Sequence, residues 1–371
     1  MSGESGLPSH KSATRLTEFY RGKTIVVTGH TGFKGAWLSV LLAKWGARVI
    51  GISLPAESDN SRALFEPPVS DSTELDIRDR DAVLKAMQGY KPELVFHLAA
   101  QSLVGRSIEQ PMETLATNIM GTAHVIDAAC RTPTVRCVVN VTSDKCYLNA
   151  GSGRAFSEDD ALGGADPYSA SKACAEIVTY AWRKAVRQAE FPLIATARAG
   201  NVIGGGDWAQ WRIVPDIVRA VRSGQSVVLR RPSATRPWQH VLNPLYGYLL
   251  LMQALYRLDP DIEDAWNFGP DRGDVLKVSE FTRRVLDRWG RGDWIVHSEA
   301  PAFPESELLE LDSAKSHKRL AWKPLFALDR GIDLTVDWYR RVLDNTESAI
   351  DVTVGQIAAF EKLATMEVHK T

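Results

Sequence analysis

Short β-branched runs alternate with amphipathic stretches over the first two hundred residues. Residues 23–28, 47–54, 93–98, 136–142 and 193–198 are brief, apolar and bounded by polar or glycine-containing segments. That pattern predicts strands buried on both faces. Between them, residues 36–44, 83–88, 114–129 and 169–189 place apolar side chains at helical spacing, as Trp37, Val40, Leu41 and Trp45 do around the first. Alternating strands and helices predict βαβ units, right-handed crossovers and a parallel sheet. After about residue 200 the rhythm changes. Gly204, Gly205 and Gly206 are followed by Pro215, Pro232, Pro237, Pro244 and Pro270. A strand-like run at 226–230 mixes with helices at 244–258, 278–289 and 328–343. The expected architecture is α/β. A loose tail over 1–21 precedes a doubly wound parallel sheet over 22–200. A smaller α+β substrate lobe covers 201–371, with re-entry of the chain into the first domain left open.

Composition narrows the function classes. At 371 residues there is room for two or three domains, or one large α/β domain with an appendage. Lys plus Arg number 44 against 45 Asp plus Glu, so no global field points to nucleic acid or to an acidic membrane. No apolar run approaches the roughly 18–20 residues of a membrane span, and the polar start is not expected to be a secretory leader. Cys130, Cys137, Cys146 and Cys174 are scattered without metal-ligand spacing. They read as reduced thiols of a cytoplasmic protein, with no metal site.

The first chemistry lies between the first strand and first helix, in Gly29-His30-Thr31-Gly32-Phe33-Lys34-Gly35. Glycine spaced G-x-x-G-x-x-G at a strand–turn–helix junction predicts a dinucleotide site. Gly29 permits the tight turn, Gly32 lets backbone approach a pyrophosphate, and Gly35 lets the helix pack close to the strand. The helix N-terminus supplies N–H groups to the anion. The second strand ends in Ser53, with no acidic residue for a ribose, so it does not separate NAD from NADP. Asp76 has two readings, beside an adenine or as a helix N-cap.

The second chemistry is Tyr168 and Lys172, at i and i+4 on one helix face. A nearby ammonium favours phenolate, so this tyrosine is expected to act as a base. Ser143, Asp144 and Lys145 end a central strand, at the edge that faces the ligand crevice in open parallel sheets. Ser143 is expected to share a substrate oxygen with Tyr168. Asp144 would donate a proton if its pocket raises its pKa. Capping of a following helix is the structural alternative for both.

These residues carry a resemblance. The segments are Gly29 to Gly35, His97-Leu-Ala-Ala-Gln101, Thr117-Asn118-Ile-Met-Gly121-Thr122, Thr142-Ser-Asp-Lys-Cys-Tyr147 and Asp166-Pro-Tyr-Ser-Ala-Ser-Lys172. Farther on come Arg198-Ala-Gly-Asn-Val-Ile-Gly-Gly-Gly-Asp-Trp208, Arg236-Pro-Trp-Gln-His240 and Ala265-Trp-Asn-Phe-Gly-Pro270. Together they resemble the nucleotide-sugar 4,6-dehydratases of the extended short-chain dehydrogenase/reductase family. The resemblance implies a Rossmann-type first domain and NAD as cofactor. NAD would be held by Gly29, Thr31, Gly32, Phe33, Lys34, Gly35, Asp76, Ile77, Leu98, Ala99, Ala100, Asn118, Tyr168 and Lys172. It implies a CDP-sugar as substrate, met by Gln101, Asn201, Arg212, Arg236 and His240, with Arg230 and Arg231 as further diphosphate candidates. His240 alone is as readily structural as functional. A homo-oligomer, dimer or tetramer, is also implied, through the helices at 114–129 and 169–189.

The implied reaction is a closed redox cycle. Tyr168, helped by Ser143, would take the C4 hydroxyl proton as hydride leaves that carbon. Asp144 would protonate the departing C6 hydroxyl, and Lys145, in its neutral form, would remove H5. Most 4,6-dehydratases carry Asp-Glu where this chain has Asp144-Lys145. Two further departures are Trp211, where an acidic residue is expected, and the Gly- and Ala-rich loop 148–156. A 4-epimerase or reductase of the same fold, which needs no acid/base pair at C5 and C6, and a non-catalytic dinucleotide-binding scaffold are the competing readings.

Overall fold

The computed structural model describes residues 12–55, 65–149, 151, 153–185, 192–258, 260–297 and 309–368. Seven strands form the main sheet: β1 (Thr24–Thr28), β2 (Arg48–Ser53), β3 (Asp71–Glu74), β4 (Leu94–His97), β5 (Cys137–Val141), β6 (Leu193–Arg198) and β10 (Ala265–Asn267). Their spatial order is β10-β6-β5-β4-β1-β2-β3, with every neighbouring pair parallel. Alternation explains why the strands read as continuous apolar runs. Val26, Ile50, Val95, Val138 and Ile194 enter one core; Ile25, Val27, Val49, Leu94, Phe96 and Val139 enter the other. Both faces are covered, so neither set is polar.

β3 carries no apolar run: its four residues, Asp-Ser-Thr-Glu, are polar and largely exposed. It is an edge strand with one neighbour, so apolar periodicity is not required of it. The helix expected at 114–129 is interrupted. It starts at Pro111, passes through a π turn at Ala116–Met120, and continues over Gly121–Cys130.

The remaining strands build the second lobe: β7 (Asn201–Ile203), β8 (Val227–Leu229), β9 (Thr235–His240), β11 (Val275–Lys277) and β12 (Trp294–Val296). They pair as a three-stranded sheet, β11-β9-β7, and a two-stranded one, β12-β8. The division at residue 200 is a division of sequence more than of space. β10 extends the main sheet, and the helix Leu242–Tyr256 packs under β5 and β6. The helix Ala349–Val368, absent from the sequence reading, lies on the helix Phe33–Lys44, where Glu361 holds both Lys44 and the Trp45 indole N–H at 2.6 Å.

The expected loose tail is corrected in part. Ser12–Tyr20 is a helix with Leu16 and Tyr20 buried, and the Tyr20 hydroxyl donates to the Leu249 carbonyl oxygen at 2.7 Å. Residues 1–11 of that tail lie outside the described residues. Among the described residues no helix is long and apolar enough to cross a membrane, and no group of His, Cys, Asp and Glu forms a metal site.

Candidate active site

The glycine turn has the shape of an anion cradle. Gly29 has φ +72°, and a Cβ there would fall 2.8 Å from Ala99 Cα. A Cβ on Gly35 would fall 2.1 Å from the Gly29 carbonyl oxygen. Only glycine fits at either position. Gly32 is the N-cap of the helix Phe33–Lys44, and no side chain caps that end. The first N–H groups of the helix thus face the turn without a side-chain acceptor, as a bound phosphate requires. Thr31 donates to Ser53 at 3.1 Å across the β1 and β2 ends. Phe33 reaches the second lobe at Gly204. Burial, with the Arg212 cation nearby, pushes Lys34 down to about 8.

The neighbouring strand ends complete a crevice. Thr28 accepts the amides of Leu98 and Ala99, each at 3.2 Å, and Ala100 is half-buried just beyond. Ile77 is buried and packs on Gly121, where a Cβ would fall 2.5 Å from its Cδ1. Asp76 is not the N-cap of the following helix. Asp79 fills that role, accepting from the Ala82 amide at 3.0 Å. The Asp76 carboxylate is instead paired with Arg78, which holds it below the usual carboxylate range.

The reactive groups converge where β5 ends. Ser143 caps the short 3₁₀ turn Asp144–Cys146, accepting from the Lys145 amide at 3.2 Å, and donates to Asp144 at 3.0 Å. The structural and functional readings of Ser143 therefore coexist. Burial pushes the Asp144 carboxyl up, against the opposing pull of Lys145, Ser143, Lys34 and Arg236. Tyr168 is 8% exposed, and the Ser143 hydroxyl is near enough to favour its ionised form. Burial raises its phenol to about 12, opposite to the sequence expectation. The reason is where Lys172 points: its ammonium donates to the Val141 carbonyl oxygen at 3.3 Å, and burial lowers it to about 8.

Three predicted ligands are placed otherwise. The Gln101 side chain is spent on its own loop, donating to Leu103 and Thr114 and accepting the Leu103 amide at 2.6 Å. Asn118, on the π turn, exchanges two hydrogen bonds with the Gln101 backbone and donates to Ser171 at 2.8 Å. It positions the loop after β4 and the catalytic helix. His240 is fully buried between Trp37 and Phe326, with ring centroids at 5.6 and 5.4 Å. Burial drops it to about 3, a neutral core residue that lines no crevice. Asn201 and Arg236 do flank the site, on β7 and β9, and Arg236 is near enough to attract Asp144. The Arg212 guanidinium donates to Asp207 and to Ser102. Arg230 donates to the Trp211 carbonyl oxygen, and of the loop 148–156, Phe156 is buried and stacked on Tyr147.

Sequence reasoning missed the buried network behind the site. Glu176 accepts from Arg198 at 2.8 Å, from Thr196 at 2.7 Å and from Thr142. Arg198 also donates to the Tyr147 hydroxyl, which donates to Asn267. This ties β5, β6, β10 and the catalytic helix Pro167–Ala185 together. Glu176 is eight residues after Tyr168 and four after Lys172 on that helix, on a buried face that also carries Thr179 and Arg183; its i+4 spacing from Lys172 was the available signal.

Comparison with known proteins agrees with this geometry. Residues 25–269 match the model of the NAD dependent epimerase/dehydratase family. The chain belongs to that family. It is 42% identical over 332 residues to the CDP-glucose 4,6-dehydratase of Salmonella typhimurium, covering 87% of this chain and 92% of that protein. The dTDP-glucose 4,6-dehydratase of Streptomyces venezuelae, solved with NAD bound, is 26% identical, with a TM-score of 0.74 over 86% of this chain and 97% of that one. An epimerase of Methanothermobacter thermautotrophicus shares the fold, with a TM-score of 0.80 at 24% identity over 90% of this chain and 97% of that one. As in other NAD dependent epimerases and dehydratases, the cofactor is NAD, and the uncapped helix end and the Cβ-free cradle fit its pyrophosphate.

Proposed function

We propose that this chain is a CDP-glucose 4,6-dehydratase, a hydro-lyase that forms CDP-4-keto-6-deoxyglucose. The observation that carries the reading is a buried carboxyl and a lysine, Asp144-Lys145, set directly beside the Ser143–Tyr168 pair. A 4-epimerase has no use for an acid/base pair there. The 42% identical Salmonella relative supports CDP as the nucleotide.

NAD held in this cradle would supply the hydride acceptor for C4 and the hydride donor for C6. Tyr168 takes the C4 hydroxyl proton, and Ser143 steadies that oxygen by hydrogen bonding. Lys172 holds the cofactor ribose, its ammonium lying at the end of β5 by the Val141 carbonyl oxygen. Asp144, whose burial favours the protonated form, gives its proton to the leaving C6 oxygen. Lys145 removes H5. Gly29, Thr31, Gly32, Phe33, Lys34 and Gly35 bind the pyrophosphate, with Asp76, Ile77, Leu98, Ala99 and Ala100 along the adenosine side. Asn201, Arg212 and Arg236 meet the sugar nucleotide.

A homodimer is part of the proposal. Met112, Met120, Ile177 and Tyr180 are 75%, 52%, 55% and 53% exposed on the two helices beside the site, a run of apolar surface suited to a second copy. A cytoplasmic location is supported by four free thiols. The test is incubation with CDP-, dTDP-, UDP- and GDP-glucose. A 4-keto-6-deoxy product from CDP-glucose is expected; a 4-epimer in its place would overturn the reading.

A further inference from the structure

One bulky residue in the left-handed region has no helix-ending reason to be there. Among the described residues, Lys91 and Ala321 close helices in that conformation, and Leu258 and Asn345 follow just past helix ends. A left-handed residue is a common stop at such places. Trp211, at φ +60°, precedes a helix instead. A large aromatic there is strained, and such strain persists only where the surroundings enforce it. Full burial is not the reason, since the side chain is 38% exposed.

The contacts on either side supply one. The indole lies across Gly105, where a Cβ would fall 2.9 Å from Cε3 and 3.1 Å from Cζ3. The next residue, Arg212, donates to Ser102 Oγ at 2.9 Å and to Asp207 Oδ2 at 3.0 Å. Asp207 is buried and its carbonyl oxygen accepts from the Tyr339 hydroxyl. Ser102 and Gly105 follow β4 and belong to the cofactor half; residues 207–212 follow β7 and belong to the second lobe. Two adjacent residues therefore join the two halves. They do so beside Tyr168, whose ionisation the Arg212 cation favours.

We propose that Trp211 is a positioning residue in a latch between the two halves, its indole seated on Gly105 so that the Arg212 guanidinium is held between Ser102 and Asp207 beside the catalytic tyrosine. The consequence for catalysis rests on Tyr168 being the base, as in the proposed function; the latch itself does not. Losing the held cation removes one influence that favours phenolate, so the base should ionise at higher pH.

Two variants test this with little risk to folding. Gly105→Ala adds a better helix former while pushing the indole off its seat. Trp211→Gly removes the ring and suits the positive φ. Hydrogen exchange and the pH profile of kcat are measured on both, with CDP-glucose and NAD. Faster amide exchange in 102–109 and 207–212 is expected in each. Trp211→Gly should keep or raise the melting temperature. It should also move the ascending limb of kcat up by about one pH unit, about tenfold in rate below the limb. Unchanged exchange in both segments overturns the latch, whatever the substrate proves to be. Faster exchange with an unmoved limb overturns the positioning role. A wild-type protein that makes no 4-keto product from any nucleotide sugar counts against the proposed function alone, and exchange still decides the latch.

Discussion

The Ser143 hydroxyl lies 3.0 Å from Oδ1 of Asp144 and donates to it. The serine expected to serve Tyr168 is thus also the partner of the proposed acid, and one hydroxyl links the two proton-transfer centres. The link has an electrostatic cost. A hydrogen bond into Asp144 favours its ionised form, while burial favours the protonated one; burial prevails, and the carboxyl is raised. Oxidation at C4 and loss of water at C5/C6 are in this way assigned to groups that touch, so a substrate need not move far between steps.

Tyr168 is the first assignment to test. Tyr168→Phe should lower turnover by at least about 10²-fold, the low end for a positioned base. Ser143 keeps its hydrogen bonds to Asp144 and the Lys145 amide without the Tyr168 hydroxyl, so the melting temperature should stay near wild type. Turnover within a few-fold of wild type would sink the assignment.

His240 offers a test of the opposite kind. It is packed edge-on against Trp37 and Phe326, and its Nε2 has no hydrogen-bond partner among the described residues. A neutral ring in an aromatic cluster is close to a phenylalanine in what it asks of its neighbours. His240→Phe should leave the KM for the sugar nucleotide unchanged and alter stability by less than about 1.5 kcal/mol, as for a shape-conserving core swap. A KM raised tenfold in a well-folded variant would return His240 to the substrate site.

The contrast between these residues shows what the sequence could and could not disclose. Tyr168 and Lys172 were legible because the chemistry depends on local spacing within one helix. Gly29 and Gly35 were legible because backbone geometry excludes every other residue there. His240 sits in an equally distinctive segment, but its surroundings come from Trp37 and Phe326, about two hundred residues before it and about ninety after. Spacing carries no record of such partners. Gln101 failed for a related reason: its amide is consumed by Leu103 and Thr114, and a turn of that kind looks the same in sequence as a ligand. The central parallel strands were legible from their two-faced burial, whereas β3, polar and at an edge, carries no such apolar run. The direction of the Tyr168 shift was missed because i, i+4 spacing says which residues share a face, not where the ammonium points.

Lys172 gives a prediction about stability. Burial lowers its amine from 10.5 to about 8 in the folded protein, against roughly 10.4 in an unfolded chain. Between those values the unfolded chain carries a proton that the folded one has shed. Raising pH through that window therefore favours the folded state, and at pH 7 the buried charge is a burden. Without cofactor, Lys172→Met should be more stable than wild type at pH 7, and the gap should narrow as pH rises from about 8 towards 10. Urea unfolding of both proteins at a series of pH values measures the gap, with other titrating groups cancelling in the difference. A gap that stays constant or widens would show that the amine is not held below its ordinary value.

Asp144 and Lys145 separate a dehydratase from its relatives most sharply. Oxidation at C4 calls on Tyr168 and Ser143, whereas elimination needs two more proton transfers, at C5 and at the C6 oxygen. The elevated Asp144 carboxyl is suited to the second, because burial that favours the protonated form helps it give a proton to a leaving oxygen. Lys145 is left for the first. It follows Asp144 on the same 3₁₀ turn and is only partly buried; to take H5 its amine must offer a lone pair. Lys145→Ala should still produce a burst of reduced-cofactor absorbance on rapid mixing with substrate, then stall before water is lost. Asp144→Asn should stall at the same stage, since an amide is a very weak acid. Exchange of H5 with solvent deuterium tells the two apart: it should vanish in Lys145→Ala and persist in part in Asp144→Asn, where the base is intact and only departure of the hydroxyl is blocked. A Lys145→Ala enzyme that exchanges H5 and dehydrates at the wild-type rate would place the base on another residue.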